Sequence, residues 1–284
     1  MRLIVTSQQD VAGTNVYNEL AKNFDFAAEG EFEGRAILKK GEVWAIATEK
    51  KQTEAEHLDE FFDAEYYVFA SRHRSESKTK TLTVHVTGNL TSQALVGGKP
   101  KQLAYCNASA MKAALQELQR AKMQDYKVSM EATHHGPTGL KKPVLFVEVG
   151  STEAEWNDIN AVRAVASAAL AAAENRKEHE SAVGIGGSHY APRHTSVMLE
   201  SSIAIGHIIP SYVIYEIDKN VFIQAVEKSN AAFGFLDWKG MKKEQRDKIT
   251  ALAGEFNLKL RRGRDLEISG LGTNTHLNQL MRKA

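Results

Sequence analysis

The segment PVLFVEVGSTEAEW, residues 143–156, decides the expected fold. Its run 144–149 is apolar apart from Glu148, which predicts a buried strand. Thr152 and Glu155 follow with the spacing of a capping box, in which both side chains satisfy free backbone N–H groups at a helix start. The alanine-rich run 161–173 then predicts a helix that packs closely against a sheet. A strand followed by such a helix is the repeating unit of an α/β protein.

The same alternation continues along the rest of the chain. Strand patterns occur at residues 3–6, 43–47, 66–70, 82–86, 127–133, 144–149, 182–185, 207–209 and 231–235. Helical periodicity occurs at residues 15–22, 55–62, 108–122, 160–174, 221–230 and 242–256. This order predicts an α/β sheet with helices on both faces. Since there is no internal repeat or Pro/Ser-rich linker, we expect one domain over residues 1–284.

Composition excludes several classes of protein. The 284 residues are 43% hydrophobic and 25% charged, and no apolar run is long enough to cross a bilayer, so we expect no membrane partner. The N-terminal MRLIVT resembles a strand and has no secretion signal after it, which places the protein in the cytoplasm. The one cysteine, Cys106, excludes an internal disulfide and a thiolate metal cage. Any metal must therefore be held by His, Asp or Glu.

Charge is balanced overall and uneven locally. The net charge of +1 does not indicate nucleic-acid binding, but residues 237–284 carry eleven Lys and Arg against six Asp and Glu. This basic subregion fits a phosphate-rich partner or an ordinary solvated surface, and both remain open. The turn-rich GLGTNTH at residues 270–276 is a candidate to close over a cleft.

Imidazole and carboxylate groups recur at three predicted strand ends. His134 and His135 follow the strand at 127–133, Glu148 lies near the end of the next strand, and His189 follows the strand at 182–185. Such groups at strand mouths favour one composite site that holds zinc or transfers protons, to which His85 or His194 would add. Adjacent histidines on an extended strand point to opposite faces, so His134 and His135 share a metal only if the Gly-Pro turn redirects one ring.

A second polar segment, SRHRSES at residues 71–77, follows the strand at 66–70. Its arginines suit an oxyanion or a phosphate, because each guanidinium presents a fixed fork of donors. On the next strand, alternation places Thr83 and His85 opposite the aliphatic face. The glycines at 184–187 allow close backbone approach to a ligand. A Gly-x-Ser-x-Gly elbow is absent and Cys106 has no assignable base, which argues against a covalent nucleophile.

In combination these segments closely resemble the archaeal and plant type of D-aminoacyl-tRNA deacylase over nearly the whole chain. The resemblance rests on SRHRSES at 71–77, LTVHVTGN at 82–89, EATHHGPT at 131–138, FVEVGSTEAEW at 146–156, GGSHYAPR at 186–193 and GHIIP at 206–210. It implies a phosphorylase/hydrolase-like α/β fold with a mixed central sheet, and hydrolysis of the ester between a D-amino acid and tRNA. It also implies zinc as cofactor, in one or two copies per chain, and a monomer.

We therefore predict D-aminoacyl-tRNA as the partner, with no role for DNA. We expect catalysis and metal binding from His134, His135, Glu148 and His189. We expect substrate binding from Arg72, His73, Arg74, Glu76, His85, Asn89, Thr138 and Arg193. Two alternatives stay open: a zinc-dependent peptidase or amidohydrolase acting on small substrates, and a non-catalytic RNA-binding protein whose histidines are structural.

Overall fold

The computed structural model describes residues 1–266, which form twelve strands and eight helices. The strands are β1 (Arg2–Ser7), β2 (Ala27–Phe32), β3 (Arg35–Lys40), β4 (Val43–Thr48), β5 (Tyr67–Arg74), β6 (Thr81–His85), β7 (Lys127–Met130), β8 (Val144–Ser151), β9 (Ser181–Ile185), β10 (Ala204–Ile209), β11 (Phe233–Leu236) and β12 (Leu260–Arg261). The helices are α1 (Val11–Asn23), α2 (Leu58–Phe61), α3 (Ala108–Arg120), α4 (Glu153–Trp156), α5 (Ile159–Glu174), α6 (Pro192–Glu200), α7 (Lys219–Lys228) and α8 (Lys243–Glu255). The segment 270–276 and the last two basic residues, Arg282 and Lys283, lie outside the described residues.

The larger sheet has eight strands in the order β2-β3-β4-β1-β5-β8-β6-β7. Strands β4, β1, β5 and β8 run parallel, whereas β6 pairs antiparallel with β8 and β3 pairs antiparallel with β4. The predicted mixed central sheet is therefore confirmed. Its parallel centre brings the carboxyl ends of β1, β5 and β8 to one edge, which is where α/β proteins bind ligands.

The two faces of this sheet are covered differently. Helices α1, α3 and α5 pack on one face, and their alanine, leucine and methionine side chains share a core with alternate residues of the strands, such as Val68 and Val147. The other face is covered by the short α2 and by loops that pack on Tyr67, Phe69 and Phe146. The predicted helices on both faces are present, with the long ones on one side. The sparsely covered face leaves room for a cleft.

A smaller parallel sheet, β10-β9-β11-β12, continues the structure. Its residues Ala182, Ile208 and Phe235 belong to the same hydrophobic core as the helices of the large sheet. The loop after β7 joins the two sheets, because Thr133 N donates to Ile208 O and Ile208 N donates to Thr133 Oγ1. A single domain over residues 1–284 stays a prediction, which this shared core supports.

Most predicted elements lie where expected, and the exceptions have physical reasons. The capping box of Thr152 and Glu155 is present at α4. The sequence pattern does not predict the hairpin β2–β3, because the edge strand β2 is mostly exposed and the partly buried β3 has only a short apolar run between charged residues. The signal for it is the turn Glu33-Gly34, where both residues have positive φ as a tight hairpin turn requires. Within residues 1–266, no helix has the length and apolar character needed to cross a membrane.

Lys112 of α3 fixes the junction between α3 and α6. Its side chain is 1% exposed, and Nζ donates to the carbonyl oxygens of Met198, Ser201 and Ile203 at and beyond the end of α6. Carbonyls at a helix end lack partners within the helix, so this ammonium group satisfies them. Burial lowers the pKa of Lys112 to about 8. The lysine therefore acts as a buried cap.

We expect Lys112→Met to lower the free energy of unfolding by about 2–4 kcal/mol, because it leaves three buried acceptors without a donor. Urea denaturation measures this change. The exposed Lys22→Met on α1 is the control and should change stability by less than about 0.5 kcal/mol. Equal stability of the two variants would show that Lys112 does not cap α6.

Candidate active site

A cleft of about 540 Å³ opens at the carboxyl ends of β1, β5 and β8. This volume suits a small organic ligand or the end of a larger one. The side chains that line it include Arg72, Arg74, His134, His135, Glu148 and His189. His134, Glu148 and His189, which follow or end the three strands predicted to meet, all line this one cleft.

Strand register assembles the floor of the cleft. Ser71 of β5 and Thr83 of β6 both pair with Glu148 of β8, so the three side chains lie side by side on the sparsely covered face. Ser71 Oγ donates to Glu148 Oε1 at 2.6 Å. His73 and His85 lie two residues further along their strands and therefore point to the same face. This confirms the predicted orientation of His85, away from the aliphatic side of its strand.

A second carboxylate, Glu131, directly follows β7 and was not predicted as a site residue. It is 1% exposed, and its Oε2 lies 3.1 Å from His189 Nε2 and 3.4 Å from His134 Nε2. Its Oε1 lies 3.1 Å from His73 Nδ1. The sequence signal was its place in EATHHGPT, at the end of a strand. Glu131 therefore contacts three imidazoles, those of His73, His134 and His189.

Both carboxylates are held in the ionised form. Burial alone would raise the pKa of Glu131, but the hydrogen bond from His189 and the charge of His73 lower it to about 2. The pKa of Glu148 is also well below its usual value, because the imidazoles of His73 and His85, 3.5 and 3.6 Å from its Oε2, outweigh burial. Burial alone would lower the pKa of His73, but the two nearby carboxylates raise it to about 10. The site therefore contains paired charges in a buried setting.

His134 and His135 reach the same side of the chain despite being adjacent. His135 has a φ of +42°, so the chain leaves the extended conformation between the two residues. Their ring centroids lie 4.4 Å apart, and both lie within 5 Å of the His85 ring, at 4.3 and 4.9 Å. The redirection that metal sharing requires is therefore present.

The ring tautomers of this pair fit a metal site. His134 Nδ1 donates to Ala132 O at 2.8 Å, and His135 Nδ1 donates to Gly136 O at 2.6 Å, because a carbonyl can only accept. Each neutral ring then carries its lone pair on Nε2, the arrangement usual in metal-binding histidines. Burial, followed by the neighbouring His85, lowers the pKa of His135 to about 4 and that of His134 well below its usual value, so both rings are neutral at pH 7.

Three groups of side chains in residues 1–266 have ligand atoms within 4.8 Å of one another. They are His85, His134 and His135; Glu131, His134 and His189; and His73, Glu131 and Glu148. Two of the atoms, His85 Nε2 and Glu131 Oε1, are buried without an aligned hydrogen bond. These groups could hold a metal. The four predicted ligands all line the cleft. They do not form one group of four, because each of the three groups also contains His85, His73 or Glu131.

The predicted substrate-binding residues fall into three sets. Arg72, His73 and Arg74 line the cleft, and His73 also belongs with His85 to the charged network around Glu131 and Glu148. Asn89 and Thr138 are buried, and they hydrogen-bond the backbone of residues 97–99, which packs against the His135–Pro137 turn.

The third set lies away from the cleft. Glu76 is exposed in the turn after β5. Arg193 is outside the cleft lining, and its guanidinium packs against Gly263. His194 is buried against Gly184 and Phe235 of the smaller sheet, and so does not join the site. Gly186 and Gly187 approach Asp237 and Met241 of the same chain, so their closeness serves internal packing.

Known proteins are similar to this chain over most of its length. A family model described as D-aminoacyl-tRNA deacylase matches residues 60–261. The chain is 36% identical over 267 residues to the D-aminoacyl-tRNA deacylase of Pyrococcus furiosus, covering 91% of this chain and 98% of that one. It is 37% identical over 270 residues to the enzyme of that name from Methanosarcina acetivorans, covering 90% of each.

A solved structure has the same fold. The crystal structure of a conserved protein of unknown function matches with a TM-score of 0.86 at 34% identity, covering 93% of this chain and 95% of that one. Identity of this level over nearly the full length, together with the family match over most of the chain, decides the assignment. The chain belongs to the D-aminoacyl-tRNA deacylase family.

Proposed function

We propose that this protein hydrolyses the ester that joins a D-amino acid to the terminal ribose of tRNA, freeing the tRNA for further use. The observation that carries the proposal is the convergence of Glu131, His134 and His189 beside one cleft. The names of the relatives support the substrate. Arg72 and Arg74 on the cleft wall supply cations for the phosphate of the terminal adenosine.

His189 is the proposed general base. Its Nε2 donates to the ionised Glu131 at 3.1 Å, so the carboxylate fixes the ring and leaves the lone pair on Nδ1, whose contact with the Tyr212 hydroxyl at 3.4 Å a water can replace. Nδ1 takes a proton from water as the water oxygen bonds to the ester carbonyl carbon. The bond from that carbon to the ribose oxygen then breaks, and the same imidazole returns the proton to the ribose oxygen. The products are the free D-amino acid and the tRNA hydroxyl.

His85, His134 and His135 are the proposed zinc ligands, with Glu148 beside them to balance the charge. Each offers one ring nitrogen, these nitrogens lie within 4.8 Å of one another, and Glu148 Oε2 lies 3.6 Å from His85 Nε2. Imidazole nitrogen and carboxylate oxygen are ligands that zinc accepts. The chemistry that zinc supplies when bound is polarisation of the ester carbonyl and acidification of water. His134 also belongs to the group with Glu131 and His189, so it is the histidine that these two groups share.

We expect the purified protein to deacylate D-aminoacyl-tRNA much faster than the matched L-aminoacyl-tRNA. We expect His189→Ala to lower kcat by about 10²–10⁴-fold with little change in KM, because the base acts only in the chemical step. The matched control is His179→Ala, at a partly exposed histidine that is outside the cleft lining. Equal rates on both stereoisomers would contradict the proposed substrate, and full activity of His189→Ala would remove it as the base.

We expect His134→Ala to weaken zinc affinity by more than about 100-fold, because it removes a direct ligand. Loss of an outer-shell partner alone weakens metal affinity by up to about 100-fold, and loss of a ligand should weaken it further. Metal content by mass spectrometry after equilibrium dialysis measures this, with His179→Ala again as control. Circular dichroism shows whether the variant is folded. A folded His134→Ala that retains the zinc content of the wild type would contradict the ligand assignment.

A further inference from the structure

A second cavity, of about 480 Å³, lies beside the cleft, and we call it the tyrosine groove. It is lined by two tyrosines, Tyr212 and Tyr215, by two lysines, Lys239 and Lys242, and by Ser211, Gly240, Met241 and Gln245. These segments follow the carboxyl ends of β10 and β11. The groove therefore lies at the carboxyl end of the smaller sheet, just as the cleft lies at the carboxyl ends of strands in the larger one. Such strand ends are common ligand sites.

The groove adjoins the proposed catalytic base. The hydroxyl of Tyr212 lies 3.4 Å from Nδ1 of His189. Tyr212 lines the groove and His189 lines the cleft, so the two cavities share this boundary. A ligand that fills the cleft can therefore continue into the groove without leaving the surface.

The lining has the chemistry that suits single-stranded nucleic acid. Tyr212 and Tyr215 are 56% and 53% exposed, which is high for large aromatic side chains. Two lysines line the groove with them, and no carboxylate is among the described residues that line it. Exposed aromatic rings stack on bases and nearby cations meet phosphates, and this pairing is how proteins bind single strands without reading their sequence.

Hydrogen bonds hold the segments that line the groove in place. Gln245 Nε2 donates to Ser211 O at 2.7 Å, and Lys242 N donates to Gln245 Oε1 at 2.7 Å. Lys248 Nζ donates to Tyr215 O at 2.8 Å, and Ser211 Oγ donates to Gly187 O at 2.9 Å. The groove is thus formed before any ligand binds, which lowers the entropy cost of binding.

We propose that the tyrosine groove binds the single-stranded 3′ end of tRNA, the nucleotides that precede the terminal adenosine. A base stacks on Tyr215 and the backbone phosphate lies near Lys242, while the aminoacyl-adenosine occupies the cleft. The excess of basic residues after residue 237, from which Lys239 and Lys242 come, fits this occupant. This inference rests on the proposed function and adds to it the path of the substrate.

The test compares two substrates, D-aminoacyl-tRNA and the minimal ester D-aminoacyl-adenosine, which lacks the preceding nucleotides. We expect Tyr215→Ala to raise KM for the tRNA by about tenfold, from the loss of one base stack, and to leave kinetics on the minimal ester unchanged. Tyr215→Phe keeps the ring and should retain the KM of the wild type. Tyr105→Ala is the matched control, since Tyr105 is 47% exposed beneath Lys228 and lines neither cavity.

Two further measurements hold even if Tyr215→Ala does not fold. Lys242→Gln should reduce the slope of log kcat/KM against log salt by about 0.7, the value for one phosphate contact on a single strand. Uncharged tRNA trimmed of its single-stranded 3′ end should compete less well than intact tRNA with the wild type, and this difference should be smaller with Lys242→Gln. A difference as large as that of the wild type would contradict the groove assignment.

The outcomes separate the two proposals. A wild type that cleaves neither ester overturns the proposed function and this inference with it. If the wild type cleaves D-aminoacyl-tRNA but Tyr215→Ala and Lys242→Gln behave like Tyr105→Ala, the proposed function stands and the groove assignment is overturned. An equal loss on tRNA and on the minimal ester also overturns it, because it would place Tyr215 in the catalytic site and not on the nucleotide path.

Discussion

Glu131 and Glu148 lie 1% and 3% exposed in the protein interior, both within reach of the single imidazole of His73. Burying one carboxylate is costly unless it is paired and hydrogen-bonded, and burying two close together adds their repulsion. His73 Nδ1 lies 3.1 Å from one and 3.5 Å from the other, so its positive charge offsets both. The rest of the site depends on this balance, because removing one member of a buried charged pair leaves the other uncompensated, at a cost of about 3–5 kcal/mol.

The balance also explains how fold and site depend on each other. Glu148 comes from β8, His73 from β5, His85 from β6 and Glu131 from the end of β7, so the charges meet only when four strands are in register. The long helices occupy the opposite face of the sheet, which leaves this face open to a ligand. The loop that carries Glu131 and His134 also joins the smaller sheet through Thr133, and it thereby links the cleft to the segments that form the tyrosine groove.

Much of this architecture could be predicted from residue patterns. Apolar runs and capping signals located the central strands and long helices to within a few residues, since both depend on local periodicity. The meeting of His134, Glu148 and His189 was also predictable, because strand ends share an edge. Which of these side chains contact one another could not be predicted, because the contacts depend on the register between distant strands. Thus Glu131 was overlooked, and Arg193, which has a suitable side chain, lies against Gly263 because α6 turns it away from the cleft.

The conformation of His135 shows the same limit. Strict alternation along an extended strand would point the imidazoles of His134 and His135 to opposite faces. Only the positive φ of His135 brings both rings towards His85. Left-handed backbone at a residue other than glycine is uncommon, so residue type gives little warning of it. Tertiary contacts of the following turn, whose Gly136 N donates to Val96 O, hold it in place.

The most direct test of the central claim, that these separated strand ends form one ester-cleaving pocket, is a crystal structure with a stable substrate analogue. An amide-linked D-aminoacyl derivative of 3′-amino-3′-deoxyadenosine has the shape of the ester and resists hydrolysis. We predict that its acyl carbonyl lies in the cleft beside His189 and His134, with its adenosine towards Arg72. An analogue seated on another surface, with the cleft residues untouched, would contradict the account.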